Sequence, residues 1–175
     1  PNVKIVANYA VGYDNIDINE ATKRGVYVTN TPDVLTNATA ELAWALLFSA
    51  ARRIVEADKY MRGGNYKAWG PMLLLGKGIT GKTLGIIGAG RIGQAFARMS
   101  KGFDMKILYY DFARKESFEQ EFGARYASLE ELLKESDFVS IHVPLTDKTR
   151  HLIGEKEFEI MKPSAILINT ARGPI

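Results

Sequence analysis

Gly88-Ala89-Gly90-Arg91-Ile92-Gly93 and one acid, Asp111, carry the spacing in this chain that points most directly to chemistry. The three glycines divide the work of holding a diphosphate. Gly88 allows a tight turn, Gly90 lets the backbone approach a pyrophosphate, and Gly93 lets a new helix pack closely on the preceding strand. Free amides at that helix start, with its dipole, attract the anion. Asp111 lies eighteen residues past Gly93, where a carboxylate accepts hydrogen bonds from an adenosine ribose. An added 2′-phosphate about 4 Å away would be repelled by roughly 4 kcal/mol at an effective dielectric of 20, about a thousandfold in affinity. NAD is therefore expected over NADP. Arg114 and Lys115 qualify that expectation, since either is able to swing toward a phosphate, although two basic residues after a strand also read as a solvated loop.

Glycine hexapeptides of this kind also mark ordinary turns, so the elements around them decide the reading. An apolar run at 84–87 precedes the glycines; Ile92, Ala95, Phe96 and Met99 recur at helical spacing after them; residues 105–110 read as the next buried strand. Strand, glycine turn, helix and a strand ending in an acid are the dinucleotide-binding unit. Strands and helices alternate along the rest of the chain, which predicts an α/β fold with a doubly wound parallel sheet. Residues 3–7, 26–28, 137–143 and 165–168 are strand candidates, and 18–23 and 155–161 helix candidates. A long helix is expected over about 38–61, with Leu42, Ala45, Leu46, Ser49 and Ile54 as inward positions, stopped by Gly63-Gly64-Asn65. Ser128-Leu129-Glu130-Glu131 reads as a capping box. The irregular segment 65–83, holding Trp69 and Pro71, is the best internal boundary marker.

A competing phosphate motif sits inside that segment. Gly76-Lys77-Gly78-Ile79-Thr80-Gly81-Lys82-Thr83 satisfies the written pattern of a Walker A loop. That loop needs a strand before it and a helix after it, so that its amides converge on phosphate. Here coil precedes and a strand follows, and the segment reads as a polar turn.

Bulk properties exclude several classes. With 175 residues and 46% hydrophobic content the chain can bury one sizeable core. A net charge of +3 without a basic block interleaved with aromatics argues against a nucleic-acid partner. Zero cysteines rule out disulfides, thiolate metal sites and thiol catalysis, and no metal site is expected. No apolar stretch reaches membrane-spanning length and no signal peptide is evident, so a cytoplasmic setting is the expectation.

Four ordered motifs along essentially the whole chain resemble the D-isomer-specific 2-hydroxyacid dehydrogenase family. They are Asn8-Tyr9-Ala10-Val11-Gly12-Tyr13-Asp14-Asn15-Ile16-Asp17; the glycine turn with Asp111; His142-Val143-Pro144-Leu145; and Met161-Lys162-Pro163 with Ile168-Asn169-Thr170-Ala171-Arg172-Gly173. Within the family the chain looks most like glyoxylate/hydroxypyruvate reductases. Phosphoglycerate dehydrogenases and NAD-sensing corepressors are relatives, and a corepressor-like binding module with incidental catalysis is the alternative reading.

The resemblance implies a Rossmann-type NAD-binding domain over 37–175, incomplete at its C-terminus, with 1–36 as the remnant of a flavodoxin-like substrate domain. It implies that Arg172 is catalytic, gripping the carboxylate and carbonyl of a small 2-keto or 2-hydroxy acid. A guanidinium fork suits this task because it pairs bidentately with a carboxylate and keeps its charge. Val11 and Gly12 correspond to the loop whose amides receive the substrate carboxylate. Arg91 and Ile92 lie where the family contacts pyrophosphate, and Val143, Pro144, Thr170 and Ala171 line the adenine and nicotinamide sides. His142, on the cofactor loop, is expected to be structural, and His151 is a weaker candidate. The resemblance also places the family's proton-donating histidine and its glutamate after Ile175, so turnover by this chain alone is not expected, and a cut sheet edge would favour self-association. A homodimer built on the 38–61 helix is expected of the parent enzyme.

Overall fold

The computed structural model describes residues 2–175. The apolar run before the glycines becomes the central strand of a five-stranded sheet, β3 (Thr83–Ile87), with Leu84, Ile86 and Ile87 fully buried. On one side β3 pairs with β4 (Lys106–Tyr110), which pairs with β5 (Arg125–Tyr126). On the other it pairs with β6 (Phe138–Ile141), which pairs with β7 (Ile166–Asn169). Every pairing is parallel, in the order β5-β4-β3-β6-β7.

Parallel neighbours need crossovers that cover the sheet. Helix α4 (Arg91–Met99) links β3 to β4, α5 (Glu116–Phe122) links β4 to β5, α6 (Leu129–Glu135) links β5 to β6, and α7 (Glu155–Ile160) links β6 to β7. The chain winds outward from β3, returns beside it at β6 and winds the other way. That reversal opens a crevice beyond the carboxyl ends of β3 and β6. The arrangement is the doubly wound, Rossmann-type sheet expected from the alternation of elements.

Two cores sandwich the sheet. One packs Trp44 and Leu47 of α2 (Thr36–Ala51) with Phe96, Tyr109 and Phe118; the other packs Leu132 and Leu133 with Ile87, Leu108 and Ile141. Trp44 stacks on Phe96 at 4.7 Å between ring centroids and donates its indole N–H to the Phe96 carbonyl at 3.0 Å, which satisfies the one polar atom the ring buries. A separate two-stranded parallel sheet, β1 (Ile5–Ala7) and β2 (Tyr27–Thr29), is joined by α1 (Ile18–Lys23), whose N-cap Asp17 accepts the Glu20 N–H. An open hollow of about 490 Å³ lies against Tyr27 and Val28 of this small sheet, away from the glycine bend.

The helix expected over 38–61 is two helices. α2 stops at Ala51, Arg53 enters the left-handed region at φ 54°, and α3 (Ile54–Arg62) sets off anew. The Ala51 carbonyl that a continuing helix would offer to residue 55 instead accepts the Lys77 N–H at 2.7 Å, so a loop, and not the helix, satisfies it. The inward face also differs. Ala40, Ala43, Trp44, Leu47 and Ala51 are buried, whereas Leu42 and Leu46 are 54% and 42% exposed, Ala45 is exposed and Ile54 is half exposed. Every position from Leu42 to Phe48 is apolar, so periodicity there has nothing to select a face with. Small alanines went inward because they let α2 approach α4 closely.

The Walker-like segment meets the turns at the amino ends of the strands: Gly81 N–H bonds to the Phe103 carbonyl and β3 begins at Thr83. It therefore lies at the opposite end of the sheet from the glycine bend. The expected capping box at Ser128 is half formed. Ser128 Oγ accepts the Glu131 N–H at 3.2 Å, but the Glu131 carboxylate pairs with Arg125.

Candidate functional site

The loops that follow β3, β4, β6 and β7 converge at the carboxyl ends of the sheet. At the first, Gly88 takes φ 98°, and a Cβ there would stand 2.8 Å from the backbone carbon and oxygen of His142. A Cβ on Gly93 would collide with the Gly88 carbonyl. These two glycines are required by the fold itself. Gly90 is different: a Cβ there meets nothing within 4 Å, and no side chain caps α4, whose N-cap it is. An uncapped helix start beside open space is a cradle for an anion. The Arg91 side chain points across to the loop after β2, where Nε meets Asp33 Oδ1 at 2.8 Å, so Arg91 offers the bend its backbone. Ile92 is half-buried against the core.

Asp111, at the end of β4, faces the bend. Its Oδ2 accepts the Ala89 N–H at 3.0 Å and its Oδ1 the Phe112 N–H at 2.8 Å, and its side chain keeps only 17% of its exposure. Lys115 Nζ lies 2.9 Å from Oδ2 and 3.0 Å from the Ala89 carbonyl oxygen.

Beyond β6, Val143 is buried and Pro144 exposed. Their loop is pinned by a residue that motif reading passed over. Thr149 is fully buried; its hydroxyl donates to the Pro144 carbonyl at 2.6 Å and accepts the Thr146 N–H at 2.8 Å. The signal available in the sequence was Thr146 and Thr149 three apart in a polar turn after a strand. His142 packs on Phe96 at 5.0 Å between rings, and its buried Nε2 has no hydrogen-bond partner. Burial alone pushes its pKa down to about 4, so the ring is neutral at physiological pH. That matches a structural role.

Beyond β7, Asn169 shapes the turn that carries Thr170, Ala171 and Arg172. Its Oδ1 accepts the Ala171 N–H and its Nδ2 donates to the Arg172 carbonyl, each at 2.9 Å. The Thr170 hydroxyl is buried without a partner. Arg172 reaches the loop after β1, where Nε stands 3.1 and 3.3 Å from the two Asp14 oxygens. Its Nη1 donates to the Ala171 carbonyl at 2.9 Å, and Nη2 lies where a Cβ on Gly12 would go. Asn8 and Asn30 hold that loop by donating to the Gly12 and Val11 carbonyls at 2.8 and 2.9 Å. The structure thus brings Val11 and Gly12 to Arg172, and adds Asp14, which reads in sequence as a mere turn residue.

The residues fit a nicotinamide dinucleotide: an open approach at Gly90, uncapped amides on α4, a carboxylate against the bend, and an orphaned hydroxyl on Thr170. Among the described residues no helix is long and apolar enough to cross a membrane.

Comparison with known proteins agrees with this geometry. Residues 44–175 match the profile described as D-isomer specific 2-hydroxyacid dehydrogenase, NAD binding domain. Glyoxylate reductases from Thermococcus litoralis and Korarchaeum cryptofilum are 64% and 62% identical over the whole of this chain, which covers 54% and 53% of them. The crystal structure of D-lactate dehydrogenase from Aquifex aeolicus complexed with NAD and lactic acid superposes with a TM-score of 0.89 at 37% identity, over 99% of this chain and 51% of that one. The chain spans about half the length of the relatives it matches. It belongs to the D-isomer specific 2-hydroxyacid dehydrogenase family and carries that family's NAD-binding domain.

Proposed function

We propose that this chain is the coenzyme half of an NAD-dependent oxidoreductase that interconverts a small 2-keto acid and its D-2-hydroxy acid, with glyoxylate and hydroxypyruvate the first substrates to test. The bound dinucleotide supplies or accepts the hydride. Gly88, Gly90, Gly93 and the amides of Arg91 and Ile92 hold its pyrophosphate. Asp111 accepts hydrogen bonds from the adenosine ribose and favours NAD over NADP, while Val143, Pro144, Thr170 and Ala171 border the two ring systems.

The Arg172 guanidinium orients the substrate's carboxylate and polarises its carbonyl, and the amides of Val11 and Gly12 take up the carboxylate. Reduction also needs a proton. His142 is buried and neutral, so it is not the donor in this reading. Residues 1–36 form part of a substrate domain and 37–175 the coenzyme domain. Leu42 and Leu46, one turn apart on α2, are both exposed, and this face of α2 is the one assigned to a two-fold dimer.

One observation carries the reading: open space at Gly90 directly beside an uncapped helix start and the Asp111 carboxylate. Titrating the chain with NADH, followed by fluorescence, tests it. Binding is expected, and Gly90→Val should abolish it while lowering the melting temperature by only about 2–4 °C, the cost of valine in place of glycine at an N-cap, because its Cβ meets no protein atom within 4 Å and enters the space assigned to phosphate. Equal binding by Gly90→Val would overturn the assignment.

A further inference from the structure

Arg114 and Lys115 both follow Asp111 closely, and the structure gives them different tasks. The hydroxyl of fully buried Tyr109 donates to Glu119 at 2.8 Å and accepts the Lys115 N–H at 2.7 Å. Glu119 holds Arg114 in a fork, Nε to Oε1 and Nη2 to Oε2, each at 2.8 Å. Arg114 is thereby tied to α5. The anchored backbone of Lys115 sends its side chain back over the bend, with the ammonium bridging Asp111 Oδ2 and the Ala89 carbonyl.

Two consequences follow from that position. The ammonium occupies a carboxylate oxygen of the acid that would otherwise repel a 2′-phosphate. It is also the cation paired with Asp111, on a flexible stem about one-third exposed.

We propose that Lys115 is a specificity-determining residue: paired with Asp111 when an unphosphorylated ribose is bound, it turns to the 2′-phosphate of an NADP-type dinucleotide and so limits the discrimination Asp111 would impose alone. The proposal rests on the dinucleotide reading above.

The test titrates the unmodified chain, Lys115→Met and Lys115→Arg with NADH and NADPH, and separately with ADP and 2′,5′-ADP by calorimetry. Lys115→Met is expected to weaken NADPH and 2′,5′-ADP by about tenfold or more, roughly 1.4 kcal/mol, while NADH and ADP change by less than about threefold. Lys115→Arg should retain the unmodified ratio, and circular dichroism of both variants should match the parent. A parallel loss for phosphorylated and unphosphorylated ligands overturns the proposal, as does unchanged NADPH affinity in Lys115→Met. So does an unmodified chain that binds NADH but neither phosphorylated ligand. If the unmodified chain binds none of the four, the dinucleotide reading itself falls and the proposal falls with it.

Discussion

Arg172 and Asp14, 158 residues apart in sequence, meet with the guanidinium Nε 3.1 Å from one carboxylate oxygen and 3.3 Å from the other. The contact joins the loop after β7 to the loop after β1, and it fixes which edge of the guanidinium stays available. Nε and Nη1 are committed to Asp14 and the Ala171 carbonyl, which leaves the Nη2 edge, against Gly12, for the substrate of the proposed reaction. On the proposed function, Arg172→Lys in the whole enzyme should lower kcat/KM for glyoxylate by about a hundredfold, since one ammonium cannot hold Asp14, the Ala171 carbonyl and a substrate at the separate positions of Nε, Nη1 and Nη2. Asp14→Asn should cost about tenfold, because a neutral amide holds the arginine less firmly. Steady-state kinetics check both, and a wild-type Asp14→Asn would show that the pairing plays no part in orientation.

Stability should fall on the acid side through His142. Burial holds its folded pKa near 4, against an ordinary value of 6.5. Below pH 6.5 the unfolded chain takes up a proton that the folded chain refuses, so stability drops as pH falls from 6.5 toward 4. Across that window the loss amounts to about 3 kcal/mol at 1.36 kcal/mol per pH unit. His142→Leu should remove this component. Urea melts at pH 7 and pH 4.5 measure it: the parent should lose more stability between them than the variant.

Tyr109→Phe should lower the melting temperature by about 5 °C. The substitution leaves the Lys115 N–H and a Glu119 oxygen without the hydroxyl that joins them, a loss of roughly 1–2 kcal/mol in a domain of this size. It should also loosen the loop that aims Lys115, so differential scanning calorimetry and the NADPH titration should move together.

Arg53→Gly should raise the melting temperature by roughly 2 °C, because glycine takes φ 54° without steric cost while an exposed pair with Glu56 contributes little. Thermal melts followed at 222 nm check it. A lower melting temperature would mean that the arginine fork to Glu56 holds the break between α2 and α3.

How much of this was legible beforehand follows from the range of each interaction. The glycine turn, Asp111 and the strands around them obey local rules, in that a positive φ, a helix start and a buried apolar run are set by residues close in sequence. β3, α4, β4, β6 and β7 fall within two residues of their expected ends for that reason. The edge elements α5 and β5 are not legible in sequence, because a seven-residue acidic helix and a two-residue strand carry too little periodicity. The break at Arg53 was invisible because its cause, the Lys77 N–H on the Ala51 carbonyl, comes from a distant loop. Asp14 is a similar case: it looks like a turn residue until the fold supplies Arg172 as its partner, whereas Thr149 finds its partners within five residues.

The parallel winding of the large sheet has a practical result for anyone building a sensor. Gly88, Asp111, Pro144 and Arg172 all sit on one rim, while the turn at Gly102 and Asp104, ahead of β4, lies on the other with both residues exposed. A dye or surface tether placed at Gly102 would hold the molecule by its back and leave the opposite mouth facing free solution.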